Sequence, residues 1–121
     1  MIKNILLVGL GGGIGSILRY AATLAINSKY FPYATLCVNI IGSFIIGLVF
    51  DFAIKDETFA NTWKLFLATG ICGGFTTFSA FTLENMQLLQ SGKIGMAFLY
   101  IALSVVLGIA ATFCGYQLFK N

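Results

Sequence analysis

Three stretches of this chain run for 19 residues or more without a charged side chain. They are 21 residues between Lys29 and Asp51, 19 between Lys64 and Glu84, and 26 between Lys93 and Lys120. An α-helix rises ~1.5 Å per residue, so ~20 apolar residues cross the hydrocarbon core of a bilayer. A fourth span is less clean: residues 4–18 are uncharged, Arg19 follows, and Tyr20 to Ser28 is uncharged again. We read one helix over about 4–27, with Arg19 inside it or near its end. A cleaved signal peptide competes, because Lys3 precedes an apolar stretch, but five glycines in that stretch and an Arg after it argue against one. The remaining helices are expected over about 33–54, 62–90 and 94–119. The expected fold is an all-α membrane protein of four transmembrane helices, in a single domain covering 1–121.

Composition supports this reading by exclusion. Charged residues make up 9% of the chain and hydrophobic residues 59%. Eleven charged side chains cannot coat a soluble globule of this size, which excludes a soluble enzyme or a disordered tail. The net charge of +3 is too small and too scattered for a nucleic-acid partner. No His is present to act as base or ligand. Cys37, Cys72 and Cys114 lie apart in apolar runs, which suits buried filler rather than zinc or redox chemistry.

Short loops make neighbouring helices antiparallel, and an even number of spans puts both termini on one side. That side carries Lys3, Lys55, Lys64 and Lys120; the other carries Lys29 and Lys93, with or without Arg19. The bias is weak under the positive-inside rule. Insertion in both orientations and insertion in one orientation with a small bias both remain open. Small residues recur four apart, as Gly9/Gly13, Gly11/Gly15, Gly12/Ser16, Ser43/Gly47, Gly70/Gly74 and Ser104/Gly108. Such pairs allow close helix contact, within a subunit or across a dimer, and their abundance favours an assembly. The run from Gly9 to Gly15 looks like a dinucleotide loop, but no GxGxxG register fits it.

The most informative segment is Gly70 to Phe81. Its Gly73-Gly74 pair falls at the middle of the third uncharged run, followed by Phe75 and two β-branched threonines, a poor helix interior. Either the helix is kinked and packed, or it breaks and frees carbonyls that protein, water or an ion must satisfy. Phe75, Phe78 and Phe81 follow at intervals of three, with hydroxyls at Thr76, Thr77, Ser79 and Thr82. Aromatic ring edges are positive and can face an anion; packing in the core or against lipid is the competing role. Asn39 lies at the middle of the second run, so its amide shares a depth with the glycine pair. A buried amide needs a partner, and its NH₂ can donate to an anion. Glu84 closes the third run, at a pore mouth or as a solvated carboxylate at a helix end. Arg19 either attracts anions or snorkels.

These residues resemble the Fluc/CrcB family of fluoride channels over nearly the whole chain. The likeness rests on Gly12, Gly15, Ser16, Arg19 and Tyr20; on Thr35-Leu36-Cys37-Val38-Asn39 with Gly42-Ser43-Phe44 and Gly47; and on Gly70 with Gly73 to Phe81 and Glu84. Ala80 and Ala34 depart from it, standing where a hydroxyl residue and a Gly are frequent. The resemblance implies a broken third helix and an antiparallel, dual-topology dimer with two fluoride pores. It implies pores lined by Asn39, Phe78, Phe81, Ser79, Thr77 and Tyr100, with Arg19 and Glu84 at the mouth or vestibule. It also implies a central structural Na⁺ held by the backbone carbonyls of Gly73 and Thr76. The expected role is passive export of cytoplasmic fluoride, relieving its toxicity, by a multi-pass protein of the inner (plasma) membrane in contact with lipid. The partner is an identical chain or a related one. A small proton-coupled multidrug exporter is the alternative, although the first helix lacks the carboxylate it would need. A non-transporting subunit of a larger complex is a third class. No nucleophile–base pair suggests an enzyme.

Overall fold

The computed structural model describes residues 1–26 and 31–120. In chain order it comprises α1 (Ile2–Ala25), α2 (Tyr33–Lys55), α3 (Glu57–Lys64), a π-helical segment (Leu65–Cys72), α4 (Gly73–Phe75), α5 (Phe78–Gln90) and α6 (Ile94–Gln117). Every regular element among the described residues is helical. Four stretches are long and apolar enough to cross a membrane: Ile2–Ala25, Tyr33–Lys55, Leu65–Gln90 and Ile94–Gln117. Large apolar side chains such as Leu6, Leu10, Ile17, Phe98, Val106 and Phe113 face outward. Water would not tolerate that surface, whereas lipid or another apolar partner does. The expected end of the first helix at Asn27, and Lys29 in the loop after it, lie outside the described residues.

The loop expected between the second and third spans holds the short helix α3. Asp56 caps it, its carboxylate accepting from the backbone N–H groups of Thr58 (2.9 Å) and Phe59 (3.3 Å). Glu57 in the first turn and Lys64 in the last complement the helix dipole. The turn between α5 and α6 needs a glycine: Gly92 has φ 78°, and Lys93 N–H donates back to the Leu88 carbonyl (2.9 Å).

Glycine decides the packing. A Cβ on Gly11 would lie 2.7 Å from the Phe66 carbonyl oxygen, and one on Gly15 would lie 2.7 Å from the Phe75 nitrogen. Gly74 likewise backs onto the Gly12 backbone. α1 therefore lies flat against the π-helical segment and α4. Gly47 and Gly115 do the same for α2 against α6. Most of the small-residue pairs are thus spent inside the subunit, while Gly9 and Gly13 have nothing within 4 Å.

The third span is not a uniform rod. Its first half is π-helical, a wider winding that occurs mostly in short pieces. At Thr76 (φ −84°, ψ 155°) and Thr77 (φ −150°, ψ 123°) the backbone is extended, and the span bends. The bend changes the span's neighbours: its first half packs on α1, and α5 beyond it packs on α6.

Candidate functional site

Two extended residues in the middle of an apolar span divert backbone groups from the helical ladder, and the surroundings show where these go. Thr77 N–H, which a continuous helix would aim at the Gly73 carbonyl, donates to Asn39 Oδ1 (2.9 Å). Asn39 Nδ2 in turn donates to the Thr77 carbonyl (3.3 Å). One amide side chain thus pairs with both backbone groups of one residue. Ala80 N–H, which a continuous helix would aim at the Thr76 carbonyl, donates to Thr77 Oγ1 (3.1 Å), so Thr77 caps α5. Thr77 Oγ1 also lies 3.2 Å from Ser79 Oγ. Thr76 Oγ1 donates to the Cys72 carbonyl (2.8 Å).

Beside the bend, α2, α5 and α6 enclose an open cleft of about 380 Å³. Asn39, Ser43, Thr77, Phe78, Phe81 and Ser104 are among its lining residues. The rings of Phe78 and Phe81 stand 5.7 Å apart at 36°. Phe81 leans on Tyr100, ring centroids 5.0 Å apart at 62°, and is half-buried. Phe78 projects outward with 76% of its surface exposed. The cleft therefore combines phenyl rims with hydroxyl and amide groups and is open on one side.

A second polar group lies next to Phe81. Tyr100, fully buried, donates its hydroxyl to Glu84 Oε1 (2.8 Å), and Thr35 Oγ1 donates to Glu84 Oε2 (2.8 Å). Glu84 is thus an anchored carboxylate held between α2 and α6. Arg19 is half-buried and its Nε donates to the Gly74 carbonyl (3.3 Å) from the α1 side.

Of the residues expected at a site, the structure brings Asn39, Thr77, Phe78 and Phe81 to one cleft, with Ser79 adjoining through Thr77. Tyr100 and Glu84 pair with each other beside it, and Arg19 meets the bend from α1 instead. Sequence reasoning places Thr35 within the second-helix motif and Ser104 within a small-residue pair, without giving either a role at the site. Ser104 had been read as a packing residue, yet its hydroxyl is buried without a partner and lines the cleft. It lies one helical turn from Tyr100, and that spacing was the available signal. Among the described residues no group of three or more His, Cys, Asp or Glu could hold a metal ion.

Four apolar spans, three of which line an aromatic-rimmed cleft carrying hydroxyl and amide groups, define a small multi-pass membrane protein. The profile described as "CrcB-like protein, Camphor Resistance (CrcB)" matches residues 6–116, and the chain belongs to this family. It is 54% identical to a protein of Flavobacterium psychrophilum named "Fluoride-specific ion channel FluC", over 98% of each chain. Proteins with the same name from Azobacteroides pseudotrichonymphae and Thermus thermophilus are 45% and 42% identical, covering 98% and 97% of this chain and 97% and 94% of theirs. These relatives are named as ion channels, not enzymes.

Proposed function

We propose that this chain is a fluoride-selective channel through which cytoplasmic fluoride leaves the cell down its gradient. The observation that carries the reading is the cleft at the bend, which phenyl rims, threonine and serine hydroxyls and one amide line together. Fluoride is small and strongly hydrated, so a pathway must replace its water with donors yet bind weakly enough to release it. Ring edges and hydroxyls meet that demand without a fixed charge. The names of relatives up to 54% identical over the whole chain support the choice of ion. The exporter alternative is not favoured, because α1 carries no carboxylate to exchange protons and the relatives are channels.

In this reading the bend is a functional break, and the channel is an antiparallel dimer inserted in both orientations, of identical or related chains. The weak charge bias and the outward phenyl ring of Phe78, which a second subunit would cover, support it. A structural Na⁺ at the dimer axis would be held by the carbonyls of Gly73 and Thr76 from each subunit. The residues fit such an ion: the N–H groups that a continuous helix would aim at both carbonyls donate elsewhere. Gly73 is also exposed on the subunit surface. Hard oxygen donors suit a hard cation. When bound, the ion supplies positive potential beside the pathway. Asn39 fixes the backbone of Thr77, Phe78 and Phe81 offer ring edges to the anion, Ser79 and Thr77 add hydroxyls, and Glu84 with Tyr100 closes one end.

Purified protein in liposomes loaded with fluoride and chloride tests the reading. Rapid fluoride efflux with chloride retained is expected. Retention of both ions, or chloride leaking instead, would overturn it.

A further inference from the structure

Arg19 has a place that neither anion attraction at a pore mouth nor snorkelling explains. It lies one turn beyond Gly15 on the α1 face that packs on the third span, a face with room only for glycine at Gly11 and Gly15. Its side chain therefore runs along the third span toward the bend, and its Nε–H meets the Gly74 carbonyl at 3.3 Å. In a continuous helix that carbonyl would accept from the N–H of Phe78, which lies beyond the two extended threonines. A carbonyl without a partner inside a membrane is costly, and so is an arginine. Each satisfies the other. α2 meets the bend through the Asn39 amide, so two helices hold the bend by side-chain hydrogen bonds to its backbone.

We infer that Arg19 is a positioning residue of the conduction pathway: its Nε–H donor takes up the Gly74 carbonyl and fixes the bend that presents Phe78, while its charge is secondary. The inference rests on the channel reading above. It separates the donor from the charge, and substitutions can do the same. In Arg19→Gln the amide nitrogen stands the same number of bonds from Cα as Nε, without the charge. Arg19→Lys keeps the charge but moves the donor one atom outward. Arg19→Met removes both.

The test is fluoride efflux from liposomes at equal protein-to-lipid ratio, with gel filtration of each variant in detergent as the folding control. Leaving a buried carbonyl without a donor is costly enough that Arg19→Met should conduct roughly tenfold or more slowly than wild type, while Arg19→Gln stays within about threefold and Arg19→Lys falls below Gln. If Arg19→Met aggregates, the order of Gln and Lys decides. Lys at the wild-type rate with Gln slow would overturn the inference in favour of a charge role. Wild-type rates in all three would overturn it in favour of a bystander. A wild-type protein that fails to pass fluoride would sink the channel reading and this inference with it, an outcome distinct from a conducting wild type with the order reversed.

Discussion

Asn39 illustrates how much one side chain does in a solvent that offers no hydrogen bonds. Its amide is committed to both backbone groups of Thr77, so its first task is to hold the bend. In Asn39→Ala both backbone groups lose their partner, each at a cost of about 1–3 kcal/mol. We expect a lower unfolding temperature in detergent and fluoride efflux reduced at least about tenfold on that cost. Stability and efflux both at wild-type level would show that the pair contributes nothing. The phenyl rings are tested differently. Phe78→Ile and Phe81→Ile keep apolar bulk and delete the ring edge, so efflux should fall sharply in both while gel filtration is unchanged. A wild-type rate in either variant would remove the ring-edge mechanism. The depth shared by Asn39 and the glycine pair was legible, because each sits at the middle of an uncharged run. The particular pairing with Thr77 was not, since it depends on the rotation of two helices about their axes. Thr35 stands in the motif that carries the family likeness, but its pairing with Glu84 was illegible for the same reason.

At the scale of elements, the four spans follow from the uncharged runs, but the helices continue past the charges that bound those runs: α2 runs through Asp51 to Lys55 and α5 through Glu84 to Gln90. Two features escaped. Helix α3 is eight residues of mixed polarity between charges, and only the Asp56 cap and the terminal charges mark it. The π-helical winding of Leu65–Cys72, whose hydrogen bonds span one residue more than an α-helix's, follows from no residue type; the segment packs closely against α1. That packing makes a sharp prediction. Gly15→Ala drives a Cβ into the backbone of Ile71 and Phe75, whereas Gly13→Ala meets nothing within 4 Å. Overpacking costs about 1–3 kcal/mol, so Gly15→Ala should lower the thermal unfolding temperature in detergent and Gly13→Ala should not. Equal temperatures for the two would contradict the glycine-mediated contact. Loss of the cap in Asp56→Ala should cost about 1 kcal/mol of α3 stability, read as faster amide exchange at Thr58 and Phe59.

For the whole molecule, the division of labour follows from the bend. α1 and the first half of the third span make a tight, glycine-lined wall, while α2, α5 and α6 surround a trough that one subunit leaves open. Composition made the membrane legible, and the motif likeness indicated the family. The likeness also implied lining residues that the cleft brings together, Asn39, Thr77, Phe78 and Phe81, but not that the cleft stays open on one side of the subunit with Phe78 exposed. The central claim is that this trough, closed by a second subunit, passes fluoride and rejects chloride. Reversal potential under a fluoride gradient opposed by a chloride gradient, recorded from purified protein in a planar bilayer, tests it most directly. The account predicts currents that reverse at the fluoride equilibrium potential. Reversal at the chloride potential, or no current at all, would contradict it.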